Sequence, residues 1–238
     1  MRCSTPCARS HSICHVRHTS AVAEWELFRD LPEPELHRIL AVARRRRFER
    51  REVVFHRGDP ADTLHLVSAG RFAVRVTTRL GDTATIAVHG PGEAFGELAL
   101  VDPGAPRSTT VAALEYGETF AVHRDAFVRL RSQHPSVDAV LVQVLGTRLR
   151  RASELLVEAL YVSAETRVLR RVHELAELYG GDTVPLTQDD VAGLAGTSRA
   201  TVNRVLRAEV SRGTLELQRG RILVRDRAAI ARRATPRI

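Results

Sequence analysis

The chain has 238 residues, a hydrophobic fraction of 44% and a formal net charge of +8. Such a length accommodates one large domain or two small ones, each able to bury a core. No apolar run approaches the roughly 18–20 residues of a membrane span, and the N-terminus lacks the apolar core of a signal peptide. The sequence therefore predicts a cytoplasmic location.

Positive charge is distributed unevenly along the chain, and all 36 basic residues are arginines. Residues 1–20 carry three arginines and no acidic residue, whereas residues 21–162 balance 19 arginines with 19 acidic residues. Residues 163–238 carry 14 arginines against 9 acidic residues. This excess in the C-terminal third indicates attraction to nucleic acid.

The three cysteines, Cys3, Cys7 and Cys14, all lie near the N-terminus. Their odd number, in a chain without a secretion signal, argues against a disulfide framework. An iron–sulfur cluster normally takes four thiolates, although nearby histidines could complete a mixed site. We expect residues 1–20 to be a disordered tail without a metal, and we keep redox or metal sensing as the alternative.

Residues 21–134 combine short helical segments with short apolar runs that are separated by glycine-containing turns. The helical segments are 25–28 and 34–43, and the apolar runs are 53–55, 64–67, 72–76, 83–88, 109–114 and 118–122. Several short strands at this spacing predict an antiparallel barrel or roll. The four arginines at 44–47 are expected to be a solvated edge that leads into the first strand.

The segment FGELALVDPGAPRSTTV, residues 95–111, has the residue types that bind a phosphorylated sugar. Gly96 permits close approach of the backbone, Glu97 can accept hydrogen bonds from sugar hydroxyls, and Arg107 offers a planar fork to phosphate oxygens. The run from Glu97 can begin a short helix with its N–H groups toward an anion, and Ser108 adds a hydroxyl. For any one of these residues a surface turn is the alternative, but the set together favours a ligand pocket.

Residues 136–160 form a proline-free stretch with apolar residues at intervals of three and four. The stripe extends over about seven turns, close to a heptad seam, and faces away from a balanced charged face. Its members are Val137, Val140, Leu141, Val144, Leu145, Leu149, Ala152, Leu156 and Leu160. We predict a long helix shared between two chains, with packing on its own roll as the alternative.

Residues 163–238 show the order of a winged helix-turn-helix, namely helix, turn, helix and hairpin. Ser163 and Thr187 begin two helices, and Gly196 turns the chain into a third helix that Thr197 or Ser198 caps. Two strands are predicted at 214–217 and 221–224. The outward side chains at the start of the third helix are expected to meet base edges; these are Ser198, Arg199, Asn203 and Arg204. A protein-binding module is the alternative.

Three motifs resemble the Crp–Fnr transcription regulators, most nearly the cAMP receptor protein branch. Residues 95–111 resemble its phosphate-binding cassette, HRGDPADTLHLVSAG resembles the first hairpins of its β-roll, and TSRATVNRVL resembles its recognition helix. The resemblance covers about residues 25–230. It implies an α+β fold with an N-terminal antiparallel β-roll of the cyclic-nucleotide-binding type, flanked by helices (21–134), a long dimerisation helix and hinge (135–162), and a C-terminal winged helix-turn-helix (163–238).

The resemblance also implies a set of ligand contacts: Gly96, Glu97, Leu98, Arg107, Ser108, Ala152 and Ser153. In it, Gly96 and Glu97 face the ribose and phosphate, Arg107 pairs with the cyclic phosphate, and Ser108 bonds its oxygens. Ala152 and Ser153 replace a Thr-Ser pair that touches the nucleobase, and only the serine is kept. The expected allosteric ligand is cAMP, with cGMP as a second possibility.

On the DNA side, Arg199 and Arg204 match two arginines that fork onto guanine. Ala200 replaces the glutamate usually found between them, so we predict weaker discrimination at one base pair. Candidates for phosphate contacts are Thr187, Thr197 and Thr201.

The implied protein is a homodimer that controls transcription with RNA polymerase as a partner and reads a pseudo-palindromic site. No nucleophile–base set, Walker loop or HExxH motif suggests an enzyme. DNA binding without ligand and sensing through the cysteines are the alternatives.

Overall fold

The computed structural model describes residues 32–77, 83–102, 104–135 and 138–235. Residues 1–31, with all three cysteines and the predicted helical segment 25–28, lie outside this range. Among the described helices, none is long and apolar enough to cross a membrane. Two folded parts, a β-roll and a helical module with a small sheet, are connected by one long helix.

The described residues of the N-terminal part form eight strands and three short helices. In chain order they are α1 (Glu33–Ala41), β1 (Arg44–Phe48), β2 (Val53–Phe55), β3 (Thr63–Ala69), β4 (Phe72–Thr77), β5 (Thr83–His89), β6 (Ala94–Phe95), α2 (Leu98–Val101), β7 (Thr110–Ala113), β8 (Gly117–His123) and α3 (Arg124–Gln133). All six apolar runs of the sequence form strands. The predicted antiparallel roll is therefore confirmed.

The strands form two antiparallel sheets, in the orders β1-β8-β3-β6 and β2-β7-β4-β5. Between them lies an aromatic core that includes Phe48, Phe72 and Phe95, each at most 2% exposed. The arginines at 44–47 differ from expectation because they are themselves strand β1, paired along one side with β8. Charged side chains on an edge strand discourage pairing with another chain.

Helix α4 (Asp138–Tyr161) continues from the roll and has 24 residues. It occupies the predicted proline-free stretch and connects the roll to the C-terminal module. Of the predicted stripe, Leu149, Leu156 and Leu160 are 61–70% exposed, whereas Leu141 is buried. Val142, which the predicted stripe did not include, is also 70% exposed. The helix thus leaves part of its apolar stripe uncovered by its own chain.

The C-terminal module contains α5 (Ala164–Leu178), β9 (Thr183–Val184), α6 (Gln188–Leu194), α7 (Arg199–Ser211), β10 (Leu215–Gln218), β11 (Arg221–Val224) and α8 (Arg227–Ala234). Helices α6 and α7 with the β10–β11 hairpin form the predicted winged helix-turn-helix. Strand β9 adds a third strand beside β11, and α8 packs against α5. A core of aliphatic side chains, including Val172, Val202 and Leu206, holds the module together.

Side-chain caps define the helix boundaries in this module. Ser163 accepts a hydrogen bond from the Thr166 amide, and Ser198 accepts one from the Thr201 amide. Thr187 and Asp190 form a reciprocal capping box at the start of α6. Gly196 has a φ of +58°, which is the left-handed conformation that the turn before α7 requires.

Candidate functional site

Arg107 is the centre of a cavity in the β-roll, although only 6% of its surface is exposed. Its Nη1 donates to the Thr63 carbonyl at 2.8 Å, its Nη2 lies 3.6 Å from an Asp62 carboxylate oxygen, and its guanidinium lies 4.1 Å from the centre of the Phe55 ring. Its buried Nε has no hydrogen-bond partner among the described residues. Because a buried donor without a partner is costly, this arrangement suits an incoming acceptor.

Burial lowers the pKa of Arg107, and the carboxylates of Asp62, Asp59 and Glu97 oppose that change. The guanidinium nevertheless remains charged at neutral pH, since an arginine does not lose its proton in proteins. An anion in the cavity would compensate its lost hydration.

Gly96 gives Arg107 the space for this position. A Cβ at residue 96 would lie 2.7 Å from Nη1 of Arg107 and 2.9 Å from the Thr63 carbonyl oxygen, and the glycine has a φ of +82°. The sequence pattern predicted that Gly96 admits a ligand. The structure shows a further role, because the missing side chain makes room for the phosphate-binding candidate itself.

Glu97 also lies at this cavity. It is the N-cap residue of α2, and its side chain is 17% exposed. One of its carboxylate oxygens is 3.6 Å from Nε of Arg148, which projects from α4. Arg148 also donates to the Ala94 carbonyl and approaches Nε2 of His89 at 3.4 Å. This chain of contacts connects the long helix to the wall of the cavity.

His89 is held in one orientation by a second carboxylate. Its Nδ1 is 3.2 Å from Glu93, whose other carboxylate oxygen accepts from the Gly90 amide at 2.7 Å. If Nδ1 carries the proton toward Glu93, Nε2 presents a lone pair toward Arg148. Sequence reasoning did not identify His89, and it placed Arg148 only on the polar face of the helix.

Aromatic rings lie beneath the cavity. His65 stacks on Phe95 with 5.0 Å between ring centres, and its Nδ1 is 3.0 Å from the Thr119 hydroxyl. Burial, with the positive charges of Arg107 and Arg46, lowers the pKa of His65 to about 3. His65 is therefore neutral at physiological pH and adds no second cation to the cavity.

The cavity has a volume of about 240 Å³. Five of the seven ligand-site residues predicted from the sequence line it, and these are Gly96, Glu97, Leu98, Arg107 and Ser108. Leu98 and Ser108 lie at its exposed rim. Ala152 and Ser153 do not line it within the single chain; both are exposed on α4, and the Ser153 hydroxyl donates to the Leu149 carbonyl at 2.9 Å.

The candidate DNA-reading surface lies on α6, α7 and the hairpin. Of the seven predicted DNA-site residues, Thr187, Ser198, Arg199 and Arg204 are exposed, and Thr197, Thr201 and Asn203 are half-buried. Nη1 of Arg199 lies 3.5 Å from a carboxylate oxygen of Asp189, and the Arg199 side chain is 69% exposed. Asn203 accepts from Nε of Arg207 at 3.2 Å. Because α7 buries Val202, Val205 and Leu206, its opposite side is left to solvent.

No group of three or more histidine, cysteine, aspartate or glutamate side chains that could hold a metal ion occurs in the described part of the chain. Cys3, Cys7 and Cys14 lie outside this part, so the alternative of a cysteine-based sensor stays a prediction.

Comparison with known proteins agrees with both parts of the structure. Residues 45–134 match the model of the cyclic nucleotide-binding domain, and residues 166–233 match the Crp-like helix-turn-helix domain. The roll cavity and the α6–α7 surface therefore lie within two matched domains, in the same order along the chain.

Two curated relatives cover most of the chain. The Cyclic AMP receptor protein of Thermus thermophilus is 34% identical over 86% of this chain and 94% of its own length. The CRP-like cAMP-activated global transcriptional regulator of Mycobacterium tuberculosis strain H37Rv is 31% identical over 79% of this chain and 86% of its own length.

Solved structures show the same architecture. The Thermus thermophilus catabolite activator protein matches with a TM-score of 0.51 and 34% identity, over 87% of this chain and 97% of its own. A CRP/FNR-family transcriptional regulator from the same organism matches with a TM-score of 0.70 and 22% identity, over 82% of this chain and 100% of its own, and so supports the fold.

Two matched domains in sequence order, together with relatives above 30% identity over most of the chain, establish the class of protein. It combines a cyclic nucleotide-binding domain with a DNA-binding helix-turn-helix, and proteins of this class regulate transcription rather than catalyse reactions. The chain belongs to the Crp–Fnr family of transcription regulators.

Proposed function

We propose that this regulator is a homodimer that binds cAMP in the cavity of its β-roll and reads a pseudo-palindromic DNA site. The observation that carries the ligand assignment is the buried guanidinium of Arg107, whose Nε has no partner among the described residues and which lines the same cavity as the Glu97 carboxylate. A cyclic phosphate supplies the anion that this arginine requires. The names of the two curated relatives make cAMP the first nucleotide to test and cGMP the second.

Each cavity residue has a distinct role in this proposal. Arg107 pairs with the cyclic phosphate, Ser108 donates its hydroxyl to a phosphate oxygen, and Glu97 accepts from a ribose hydroxyl. Gly96 leaves room for Arg107, and Leu98 covers the rim. Arg148 holds the Glu97 carboxylate from the side of α4, so that the ribose contact and the long helix are connected.

Dimerisation through residues 135–162 is supported by the uncovered apolar stripe of α4. Leu149 and Leu156 of the stripe are seven residues apart, and Val142, outside the predicted stripe, lies seven residues before Leu149. All three are 61–70% exposed, as expected for a seam that a second copy covers. Ser153 lies one turn beyond Leu149 on the same stripe. In the proposed dimer, Ala152 and Ser153 lie at the interface beside the ligand and make the nucleobase contact that the family resemblance implies.

DNA recognition is assigned to residues 163–238. Arg199 and Arg204 fork onto guanine edges, while Ser198 and Asn203 lie beside them on α7. The threonines Thr187, Thr197 and Thr201 position the module on phosphates. In a two-fold dimer, two copies of α7 read half-sites about one helical turn apart. RNA polymerase is the proposed protein partner, and the cytoplasm is the proposed location.

Ligand binding acts by a population shift in this proposal. The nucleotide contacts Arg107 and Glu97 in the roll and Ser153 on α4, so it favours the helix arrangement that presents both recognition helices at the spacing of DNA. The ligand must bind this arrangement more tightly than the other, because a ligand with equal affinity for both shifts nothing.

The decisive experiment is calorimetric titration of the purified protein with cAMP and cGMP, repeated with Arg107→Ala and Arg129→Ala. Arg129 is an exposed arginine on α3 that does not line the cavity, and it serves as the matched control. We expect saturable binding of one nucleotide that Arg107→Ala abolishes and Arg129→Ala retains. Failure of the wild type to bind either nucleotide would contradict the proposed ligand.

The cysteine alternative has its own test. We expect deletion of residues 1–20 to leave nucleotide binding and DNA binding unchanged, measured by calorimetry and by fluorescence anisotropy of a labelled duplex. A change in DNA affinity on oxidation or metal addition that disappears with the deletion would instead assign sensing to the tail.

A further inference from the structure

Strand β5 lies between the ligand cavity and the DNA-binding module. Ile86, Ala87 and His89 line the cavity, whereas Thr85 is 2% exposed and meets helix α6. The register with β4 shifts here, because Val74 pairs with Ala87 and Arg75 with Thr85, leaving Ile86 as an extra residue. Such a bulge changes the direction of a strand and its side chains. One short segment thereby touches both functional parts.

A single carboxylate joins this strand to α6. The Thr85 hydroxyl donates to Oδ1 of Asp190 at 2.6 Å, and Arg75 lies 3.8 Å from the same oxygen. The other oxygen of Asp190 accepts from the Thr187 amide at 3.0 Å and from the Thr187 hydroxyl at 2.7 Å. Asp190 thus caps the first helix of the helix-turn-helix and binds the sensor strand at the same time.

The backbones of β5 and α6 are also in direct contact. A Cβ built at Gly193 would lie 2.5 Å from the Thr85 carbonyl oxygen and 2.8 Å from the Thr85 nitrogen. Real side chains do not approach backbone atoms so closely, so only glycine at position 193 permits this contact. The helix therefore lies on the strand itself.

Contacts beside the strand give this docking a larger area. Arg71 donates from Nε to the Leu178 carbonyl at 3.1 Å, and its guanidinium lies 4.2 Å from the centre of the Tyr179 ring. Val88 and Leu114 of the roll pack against the apolar core of the DNA-binding module. The two parts consequently share a packed interface in addition to helix α4.

The docked helix determines the position of the recognition helix. The Thr197 amide donates to the Ala192 carbonyl at 3.0 Å across the turn, and Asp189 of α6 lies 3.5 Å from Arg199 of α7. These contacts connect α6 to the start of α7, where the candidate DNA-reading side chains lie.

We propose that the β5–α6 contact, formed by Thr85, Asp190 and Gly193, is a coupling element between nucleotide binding and DNA reading. These three are positioning residues, since they lie outside the ligand set and outside the base-reading set. A nucleotide that shifts the cavity wall at Ile86 and Ala87 changes the orientation of α6 directly, in parallel with the long helix. This inference rests on the proposed nucleotide response.

The test measures coupling rather than affinity alone. The DNA affinity of a symmetric duplex, selected by the wild-type protein from a random-sequence pool, is determined with and without saturating cAMP. The ratio of the two dissociation constants is the coupling factor, and by linkage DNA changes cAMP affinity by the same factor. Nucleotide affinity without DNA is measured in parallel by calorimetry.

Two variants separate the contact from the fold. Gly193→Ala forces α6 away from β5, although alanine favours a helix more than glycine does, so a loss cannot come from a weaker α6. Thr85→Val removes only the hydroxyl that binds Asp190 and keeps the branched shape. The matched controls are Gly181→Ala, where a Cβ meets nothing closer than 3.8 Å, and Thr83→Val at the exposed end of β5.

We expect the coupling factor to fall about tenfold in both variants, the scale of a lost hydrogen bond to a charged group, while nucleotide affinity without DNA stays within about threefold. Both controls should keep the wild-type factor. An unchanged coupling factor in Gly193→Ala and Thr85→Val, with wild-type coupling intact, would overturn this inference alone. Absence of any cAMP effect in the wild type would overturn the proposed function and this inference together.

Discussion

The candidate ligand cavity buries its central cation, Arg107, whereas the proposed DNA-reading surface leaves Arg199 and Arg204 in solvent. Arg107 is 6% exposed and its Nε is unpaired within the described part of the chain, while the side chain of Arg199 is 69% exposed. Burying a charge costs several kcal/mol unless a partner compensates it. Exposed arginines keep their hydration and each gain little from one phosphate.

This difference has a functional consequence. In the proposed function, one anion in the cavity satisfies Nε of Arg107, which no described residue bonds, so we expect nucleotide binding to depend steeply on this one residue. On the reading surface, several exposed side chains add smaller increments, and the sum depends on salt and on base sequence. A sensor of this kind responds to one small molecule, and a reader of this kind can discriminate many sequences gradually.

The first prediction asks what distinguishes Arg107 from the exposed arginines: its burial, or its lack of a full set of hydrogen-bond partners. Glu209 of α7 is fully buried, but its oxygens bind Arg212 at 2.8 Å, the Thr214 hydroxyl at 2.7 Å, and Arg233. Glu209→Ala should lower the free energy of unfolding by about 3 kcal/mol, because the buried Thr214 and the two arginines lose their acceptor. Urea denaturation measures this change.

Nucleotide affinity is the control for Glu209→Ala, and it should stay unchanged because the cavity lies in the other part of the chain. A stability loss below about 1 kcal/mol would show that the buried Glu209 network contributes no more to stability than an exposed ion pair does. Burial alone would then distinguish the cavity from the reading surface.

The second prediction concerns His65, which stacks on Phe95 beneath the cavity. The pKa of His65 is about 3 in the folded protein, so below pH 6.5 the unfolded chain binds a proton that the folded protein does not. The contribution of His65 to the free energy of unfolding is therefore fully present above about pH 6.5. It falls as the pH decreases toward 3, by up to about 1.4 kcal/mol per pH unit. Urea denaturation from pH 7.5 to 4.5 measures the slope.

The matched variant for this slope is His65→Gln, which cannot titrate. We expect His65→Gln to be less stable than the wild type at pH 7.5, because it loses the ring stacking on Phe95, and the difference to narrow as the pH falls. If the free energies of unfolding of the wild type and His65→Gln changed in parallel with pH, His65 would accept a proton in the folded protein as readily as in the unfolded chain. The ring beneath the cavity would then carry charge.

The third prediction concerns base reading. Arg204→Ala should cost about 1–3 kcal/mol of DNA-binding free energy, and the loss should be concentrated at one base pair of each half-site. Binding to duplexes with each base pair replaced in turn measures this pattern. Arg219→Ala in the exposed turn of the hairpin is the control, with a smaller and uniform loss. A uniform loss for Arg204→Ala would place this residue on a phosphate.

Local signals in the sequence were sufficient for the DNA-reading module. Capping side chains at Ser163, Thr187 and Ser198 and the glycine turn at Gly196 act within a few residues, so they are visible without tertiary structure. The added helix α8 was missed, since its cap at Asp226 follows directly on strand β11 and is easily taken as a turn.

The cavity could be predicted only in part. Gly96, Glu97 and Arg107 are close in sequence and have recognisable chemistry, whereas Arg148 reaches Glu97 only because α4 lies across the roll. His89 is similarly defined by contacts with Glu93 and Arg148, and its position in a strand gives no signal of them. Packing between distant elements determines these roles. The residue pattern within one helix or strand carries no information about such contacts.

The smallest effect is expected from the cap of the recognition helix, and it separates the scaffold of the reader from its contacts. The Ser198 hydroxyl accepts a hydrogen bond from the Thr201 amide at 3.2 Å, so Ser198→Ala should lower the free energy of unfolding by about 1 kcal/mol. Ser211→Ala is the matched control, since its hydroxyl only donates to the Arg207 carbonyl within the same helix. Thermal and urea unfolding compare the two variants. If Ser198→Ala weakens DNA binding by more than its stability loss explains, its hydroxyl also contacts DNA; an effect on stability alone confines it to the cap. At the cavity, the Glu97 side chain makes no cap for helix α2, although Glu97 occupies the N-cap position, and it lines the cavity near Arg148.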